Sequence, residues 1–396
     1  MKIAHLADCH LGGWRQPELQ DLNLASFRKA ISICLEEKVD FVLMAGDLFD
    51  SAYPSIEVLK ETFSEFKRLR ESGIQCLIIA GSHDYSASGK TFLDVLEKAG
   101  FCINVCNFEE RQDSIILNPY ISKGVAFYGY PGKKSGLEIP ELKKLKFQDS
   151  PGMFKVFMLH TVLTEAKGSL PIDSISLQEL PKADYYALGH LHIDFQLNKA
   201  IYGGPIFPNN FQELEELGQG VMFLVNISDK FGGLMEIKKI LLKIKEALPI
   251  YVEIKNAILA TEKILSELSK HNLKDKVILL RIEGSLEKGK SSDIRFNEIE
   301  DYCKNHGCYV LLKNTSGIEA SDSKIEIQVD KMDKLEENIV EQYAIQEKQK
   351  ENSNSCFLDM IKPLMLALSL EKNEDEKNQV FQDRLFAEIN KIVKVL

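Results

Sequence analysis

The chain has 396 residues, 44% of them hydrophobic, and a formal net charge of −10. That is enough apolar material for two or three domains with their own cores. It is also a balance that does not mark a nucleic-acid binder by bulk charge, although charge summed over a chain says little about one groove. No run approaches the length of a membrane span, and the eight cysteines, at positions 9, 34, 76, 102, 106, 303, 308 and 356, include no Cys-x-x-Cys pair, so reduced thiols are expected rather than a disulfide or zinc framework.

The first residues, Met1 to Asp8, alternate in polarity and carry one lysine, which reads as a first strand rather than a signal peptide and predicts an intracellular protein. Residues 1–228 then alternate strand and helix signals. A helix is expected over Asp21 to Lys38, a buried strand over Phe41 to Ala45, and a helix over Ser55 to Ser72 with Ser55 as its cap. A strand over Gln75 to Ala80 and a helix over Thr91 to Ala99 follow, with later strands at Val125 to Tyr128, Lys155 to Leu159, Tyr185 to Leu188, Ala200 to Tyr202 and Val221 to Ile227. Such alternation predicts an α/β layered fold. Residues 229–247 read as a connector, Phe231-Gly232-Gly233 followed by a lysine-rich amphipathic segment. A smaller α/β unit is expected over residues 248–330. The tail, 331–396, contains two apolar helical segments, Cys356 to Leu370 and Val380 to Val395, which form a hairpin too greasy to stand alone and so must pack on something.

The chemistry gathers where the predicted strands end. The first ends in Asp8-Cys9-His10, the second in Gly46-Asp47, the third in Gly81-Ser82-His83-Asp84, a later one in His160 and another in Gly189-His190-Leu191-His192. Carboxyl ends of strands are where α/β folds bind ligands, and five of the eight histidines are used this way. Oxygen-plus-imidazole ligation suits manganese, iron or zinc, and more ligands than one tetrahedral ion needs imply two ions. A carboxylate between two ions that share a water makes a nucleophile for in-line attack on phosphorus, and a further imidazole can orient or protonate the leaving oxygen. Phosphate-ester hydrolysis is therefore expected. Cys9, between two of these residues, reads as a small buried side chain. Ser88-Gly89-Lys90-Thr91 is not a phosphate-binding loop, because Asp84 stands where the first glycine is required.

The set Asp8/His10, Asp47, Gly81-Ser82-His83-Asp84, His160 and Gly189 to His192 resembles the order D-x-H, GD, GNH followed by D or E, H, GHxH of the calcineurin-like metallophosphoesterases. Within that superfamily, Asp8-Cys9-His10-Leu11-Gly12 with Arg15, Gly46-Asp47-Leu48-Phe49-Asp50 and Tyr202-Gly203-Gly204-Pro205 look like the SbcD-type nucleases, bacterial counterparts of the meiotic recombination eleven subunit. Asp50 is followed by Ser51 and Ala52, so the arginine with which protein phosphatases of the superfamily grip a phosphomonoester is missing, and a diesterase is favoured.

The resemblance implies a layered α/β/β/α sandwich over 1–228, a small α/β accessory domain capping DNA over 248–330, and a C-terminal helical hairpin. It implies that Asp8, His10, Asp47 and His192 hold one manganese ion. Asp47 would bridge to a second, completed by Ser82, His160 and His190, with His83 as the catalytic imidazole; magnesium, iron or zinc are alternatives to manganese. Ser82 departs from the family's usual asparagine and is a shorter, weaker ligand. The implied function is a manganese-dependent nuclease in DNA double-strand-break repair, exonuclease on duplex ends and endonuclease on single strands. It would be cytoplasmic and nucleoid-associated, would not associate with membranes, and would work with an SMC-like coiled-coil ABC-type ATPase seated on the tail. Alternatives are a weakly active scaffold that recruits the ATPase to DNA ends, or another phosphodiesterase. A homodimer is implied through the helices at Ser55 to Ser72 and Thr91 to Ala99, with Phe63, Phe66, Leu69 and Phe92 as interface candidates.

Overall fold

A computed structural model describes residues 1–320 apart from 87, 88, 90, 134, 135, 194 and 229–234, together with 363, 364, 368, 370 and 378–393. The chain opens with β1 (Lys2–Leu6), α1 (Pro17–Glu36), β2 (Phe41–Ala45), α2 (Ile56–Glu71), β3 (Gln75–Ile79), α3 (Leu93–Lys98) and β4 (Ile103–Asn104). Local chemistry sets these bounds. Pro17 stands in the first turn of α1, where its missing N–H is not needed, and the Ser55 hydroxyl accepts the Val58 N–H at 3.3 Å to cap α2. On α2, Val58, Thr62, Phe66 and Leu69 recur at helical spacing and form its buried face.

Next come β5 (Phe108–Arg111), β6 (Ser114–Leu117), β7 (Tyr120–Ser122), β8 (Val125–Tyr130), the single turn α4 (Ile139–Leu142), β9 (Leu145–Phe147), β10 (Phe154–His160), β11 (Tyr185–Gly189), β12 (Gln196–Leu197), β13 (Ala200–Tyr202), α5 (Phe211–Leu217) and β14 (Gly220–Ile227). The stretch read as a connector holds β15 (Met235–Leu242), which pairs antiparallel with the whole of β14. Met235 and Ile237 pack on the core between the sheets, Ile240 and Leu242 on the opposite face pack into the core under the helices, and exposed lysine is what a sheet edge tolerates.

Two six-stranded sheets result, ordered β15-β14-β1-β2-β3-β4 and β12-β13-β11-β10-β8-β7. The central strands of both run parallel, with antiparallel strands at every margin but that of β4, which pairs parallel with β3. The sheets pack face to face: Ile3, Phe41, Leu43, Leu77 and Ile79 of the first meet Phe127, Val156, Met158, Tyr185 and Ala187 of the second. This explains why the strands read as unbroken apolar runs, since both of their faces are buried. The outer face of the first sheet is covered by α1 and α2 through Phe27, Ile31, Phe66 and Leu69. That of the second lies under α4, the short sheet β5-β6-β9 and adjoining loops, through Ile115, Leu117, Leu142 and Leu180. The layering is the expected α/β/β/α, with a thin fourth layer.

Two of the four expected dimer residues face the wrong way for that role. Phe66 and Leu69 are 0% and 1% exposed in the core beneath α2, and Phe63 and Phe92 pack against the same core. The apolar spacing of these residues is the spacing that covers the sheet.

The smaller unit is built from β16 (Ala247–Glu253), α6 (Ala257–Leu268), β17 (Val277–Leu286), α7 (Phe296–Asn305) and β18 (Val310–Ala320), its sheet ordered β16-β17-β18. One face of that sheet packs on α6 and α7 through Val252, Ile264, Leu280, Ile282 and Ile299. The other presents Val277, Leu279 and Leu312 to Trp14, Leu19, Phe207 and Leu214 of the first part of the chain. Met1–Ile318 is thus one compact unit, and Glu319–Leu396 is a second. In the second unit, α8 (Asn378–Val393) matches the last expected helix; the expected partner helix Cys356 to Leu370 lies, but for four residues, outside those described.

Candidate metal centre

The carboxyl ends of β1, β2, β3, β10 and β11 meet at one edge of the sandwich. Asp8 N–H donates to Gly46 O at 3.1 Å, His10 N–H to Asp47 O at 3.0 Å, and His160 Nδ1 lies 3.0 Å from Ala45 O. The first two tie β1 to β2 within one sheet, and the third joins the two sheets at the point where the polar residues emerge. Four of these residues hold backbone conformations that L-residues rarely adopt: Asp8 (φ 51°), His10 (φ 42°), Asp47 (φ 51°) and His190 (φ 100°). Each left-handed or strained residue costs on the order of 1–3 kcal/mol and persists only where its surroundings over-determine it. Gly46 is irreplaceable for a second reason, because a Cβ there would stand 2.2 Å from His160 Nδ1.

All eight residues expected from the sequence are brought to this edge. Asp8, His10 and His192 form one group able to hold an ion, and Asp8, Asp47 and His160 form another. Asp47 Oδ2 lies 3.7 Å from His10 Nε2 and 3.1 Å from His160 Nε2, between the two groups. His190 Nδ1 is 3.2 Å from His160 Nε2, and Ser82 Oγ donates to Asp47 Oδ2 at 3.4 Å. His83 stands on the open side, 48% exposed, its backbone N–H donating to Asp47 Oδ1 at 2.7 Å. Cys9 is buried in the core below α1, where burial and the neighbouring carboxylates push its thiol far up, so it takes no part.

The donor set fits divalent ions. His10 Nδ1 is 3.1 Å from Asp50 Oδ1, and His192 Nδ1 is 2.9 Å from Glu213 Oε1. A carboxylate only accepts, so both Nδ1 atoms carry the proton and both Nε2 lone pairs turn inward, 3.0 Å from each other. Two facing lone pairs repel unless a cation lies against them. Asp8 Oδ2 is fully buried and has no hydrogen-bond partner, which is costly for a carboxylate oxygen without an ion. Ligands of one ion at about 2.1 Å stand roughly 3 to 3.5 Å apart, and the donor pairs here lie 3.0 to 3.9 Å apart.

The titration behaviour agrees. Burial would push His160 down, but the Asp47 charge and hydrogen bond outweigh it and raise the imidazole to about 10. Burial would raise Asp47, and the same partner holds it well below the carboxylate range. A positive charge is thus strongly favoured between them. His190 is lowered to about 4 by burial and by the His160 charge, which keeps it a neutral donor. His192 rises despite burial because Glu213 and Asp8 face it. Asp8 is raised by burial, against the pull of His192 and His160.

Sequence reasoning missed the residues that aim the ligands. Asp50 and Glu213 orient His10 and His192, the arrangement in which a carboxylate fixes the tautomer of a metal-binding imidazole. Asp50 lay inside a quoted motif. Glu213 had only a weak signal, an asparagine cap three residues before it: Asn210 Oδ1 accepts the Glu213 N–H at 2.9 Å, and Glu213 Oε2 accepts the Asn209 N–H at 2.7 Å. Asp84 is a brace: its buried carboxylate accepts the N–H groups of Gly81, Phe49 and Leu48, and burial beside Asp47 raises it to about 6.

Two packed sheets with a carboxylate-and-imidazole centre at their shared edge define the class as a metal-dependent phosphoesterase, a hydrolase of phosphodiester bonds. Residues 1–194 match the calcineurin-like phosphoesterase family. It is 28% identical over 314 residues to the DNA double-strand break repair protein Mre11 of Methanocaldococcus jannaschii, covering 76% of this chain and 77% of that one. Mre11 of Sulfurisphaera tokodaii is 26% identical over 371 residues, 87% of this chain and 88% of the other. The uncharacterized metallophosphoesterase YhaO of Bacillus subtilis is 30% identical over 247 residues, 58% of each chain.

Proposed function

We propose that the protein is a manganese-dependent nuclease that hydrolyses phosphodiester bonds in DNA during double-strand-break repair, trimming duplex ends and opening single strands. The observation that carries this reading is the convergence of Asp8, His10 and His192 with Asp8, Asp47 and His160 on one open edge; the similarity to proteins named Mre11 supports DNA as the substrate.

In this reading Asp8, His10, Asp47 and His192 hold one ion, and Asp47, Ser82, His160 and His190 hold the other. Two such ions, when bound, supply Lewis acidity that draws charge from a phosphate oxygen and acidifies a water for in-line attack. Asp50 and Glu213 keep the His10 and His192 lone pairs inward. His83 Nδ1 donates to Asp50 O at 2.8 Å, which leaves Nε2 free at the exposed rim to orient or protonate the leaving oxygen. The same reading makes residues 248–330 a cap over bound DNA and residues 331–396 the seat of a coiled-coil ABC-type ATPase. It also makes the protein a homodimer acting at the nucleoid in the cytoplasm. Exposed Phe386 on α8 is consistent with a partner-binding helix.

Cleavage of an end-labelled DNA duplex and of a single-stranded circle, in manganese and in magnesium, tests this directly. Cutting in manganese that His83→Ala lowers by about a hundredfold or more is the expected result. A wild-type protein that binds manganese and cuts neither substrate overturns the nuclease reading.

A further inference from the structure

Both imidazoles of the first ion group are aimed by one short segment, Phe207 to Leu217. Glu213 holds His192 at 2.9 Å, and Asn209 Nδ2 donates at 3.2 Å to Asp50 Oδ1, the oxygen that lies 3.1 Å from His10 Nδ1. The helix in this segment, α5, has seven residues. A helix of two turns has no stability of its own in water, so its direction is set by what it packs against.

What it packs against is the accessory sheet. Leu214 and Phe207 lie in one apolar cluster with Val277, Leu279 and Leu312. Arg281 of β17 grips Glu215 with two parallel hydrogen bonds, Nε to Oε1 at 3.0 Å and Nη2 to Oε2 at 2.5 Å, and its guanidinium stands 5.3 Å from the centre of the Phe211 ring. Glu215 is 10% exposed and Arg281 21% exposed in their side chains, so this fork is largely removed from solvent and fixes orientation as well as distance. Glu213 and Glu215 sit two residues apart on this one rigid turn. One carboxylate faces the metal centre, and the other faces the accessory unit.

We propose that Glu213 and Arg281 are positioning residues, and that α5 makes the affinity of the Asp8, His10 and His192 ion site depend on the seating of the accessory sheet. A displacement of β17 carries Glu215 with it, turns α5, and loosens the hold of Glu213 on His192. Among the described residues the Asp47, His160 and His190 side shows no such tether: His160 is fixed by Ala45 O, inside the sandwich. A ligand that presses on or lifts the accessory sheet therefore changes one ion site and spares the other.

This inference rests on the metal-binding reading above, and ion binding rather than activity tests it. Manganese stoichiometry and affinities are measured by calorimetry and electron paramagnetic resonance on the full chain. The variants are Glu213→Ala, Glu213→Gln, Arg281→Ala, Arg281→Lys and the swapped pair Arg281→Glu with Glu215→Arg, with thermal unfolding in chelator as the control for folding. The wild type is expected to bind two ions. Glu213→Ala and Arg281→Ala weaken one of them by roughly tenfold or more, the loss usual when a ligand's supporting partner is removed, and leave the other within twofold. Glu213→Gln, which keeps an acceptor, and the swapped pair recover most of the loss. Arg281→Lys, which keeps the charge without the fork, falls between. Arg281 variants that fold and bind both ions like the wild type overturn the coupling, as does equal weakening of both ions. A wild type that binds no divalent ion overturns the underlying metal reading, and this inference with it.

Discussion

His10 and His192 present their Nε2 atoms to each other at 3.0 Å, each with its Nδ1 committed to a carboxylate, Asp50 and Glu213. Two lone pairs so placed need a positive charge, and an ion bound there relieves both the repulsion and the unpartnered Asp8 Oδ2. Stripping divalent ions with a chelator is expected to lower the unfolding temperature by several degrees, and manganese at about a hundred times its dissociation constant to restore it, since such binding contributes about 2.7 kcal/mol. Differential scanning calorimetry in chelator and in manganese measures this; identical transitions in the two would mean that the folded centre binds no ion.

Ser82 is the weak point of the second group, its hydroxyl reaching Asp47 Oδ2 at 3.4 Å. Ser82→Asn supplies a longer neutral oxygen and is expected to reduce the manganese concentration needed for half-maximal cleavage several-fold. Ser82→Ala should change it by less than about twofold, because a hydroxyl so placed contributes little beyond water. Metal-titration curves of the two variants separate these outcomes.

Gly46→Ala tests the architecture. Its Cβ would fall 2.2 Å from His160 Nδ1 on a backbone with φ of 90°, so both sterics and conformation oppose it. A loss of about 3 kcal/mol or more in stability, together with loss of ion binding on the His160 side, is expected. Chemical denaturation and ion stoichiometry of the same preparation report the two effects.

His5 makes the fold sensitive to acid. It is fully buried between the sheets, its Nδ1 2.8 Å from Tyr185 Oη and its Nε2 unpartnered, and burial lowers it to about 3. The unfolded chain takes up this proton near pH 6.5 and the folded one only near 3. The contribution of neutral His5 is therefore complete above pH 6.5 and is lost as the pH falls toward 3, at about 1.4 kcal/mol per unit. The double variant His5→Leu, Tyr185→Phe, which leaves neither polar group orphaned, is expected to flatten the slope of stability against pH between 6 and 4 relative to the wild type. Urea midpoints at each pH give that slope.

The sequence by itself determined the ligand types and their distribution over five strand ends. A strand that ends in Asp-x-His or Gly-His-x-His states its chemistry within a few residues, and the apolar runs before those ends state that the strands are buried on both faces. It also determined the helices α1 and α2 to within a few residues. The two-residue strands β4 and β12 and the edge strand β15 were not legible, because pairing to a neighbour rather than local pattern makes them strands. Only the tertiary structure decided how the ligands are aimed. Asp50 lies forty positions from His10, and Glu213 twenty-one from His192; each becomes a partner only once the sheets bring distant loops to one edge. The left-handed backbones of Asp8, His10, Asp47 and His190 and the Arg281–Glu215 fork are of the same kind. Their energies come from neighbours that chain order does not name, so no local pattern could disclose them.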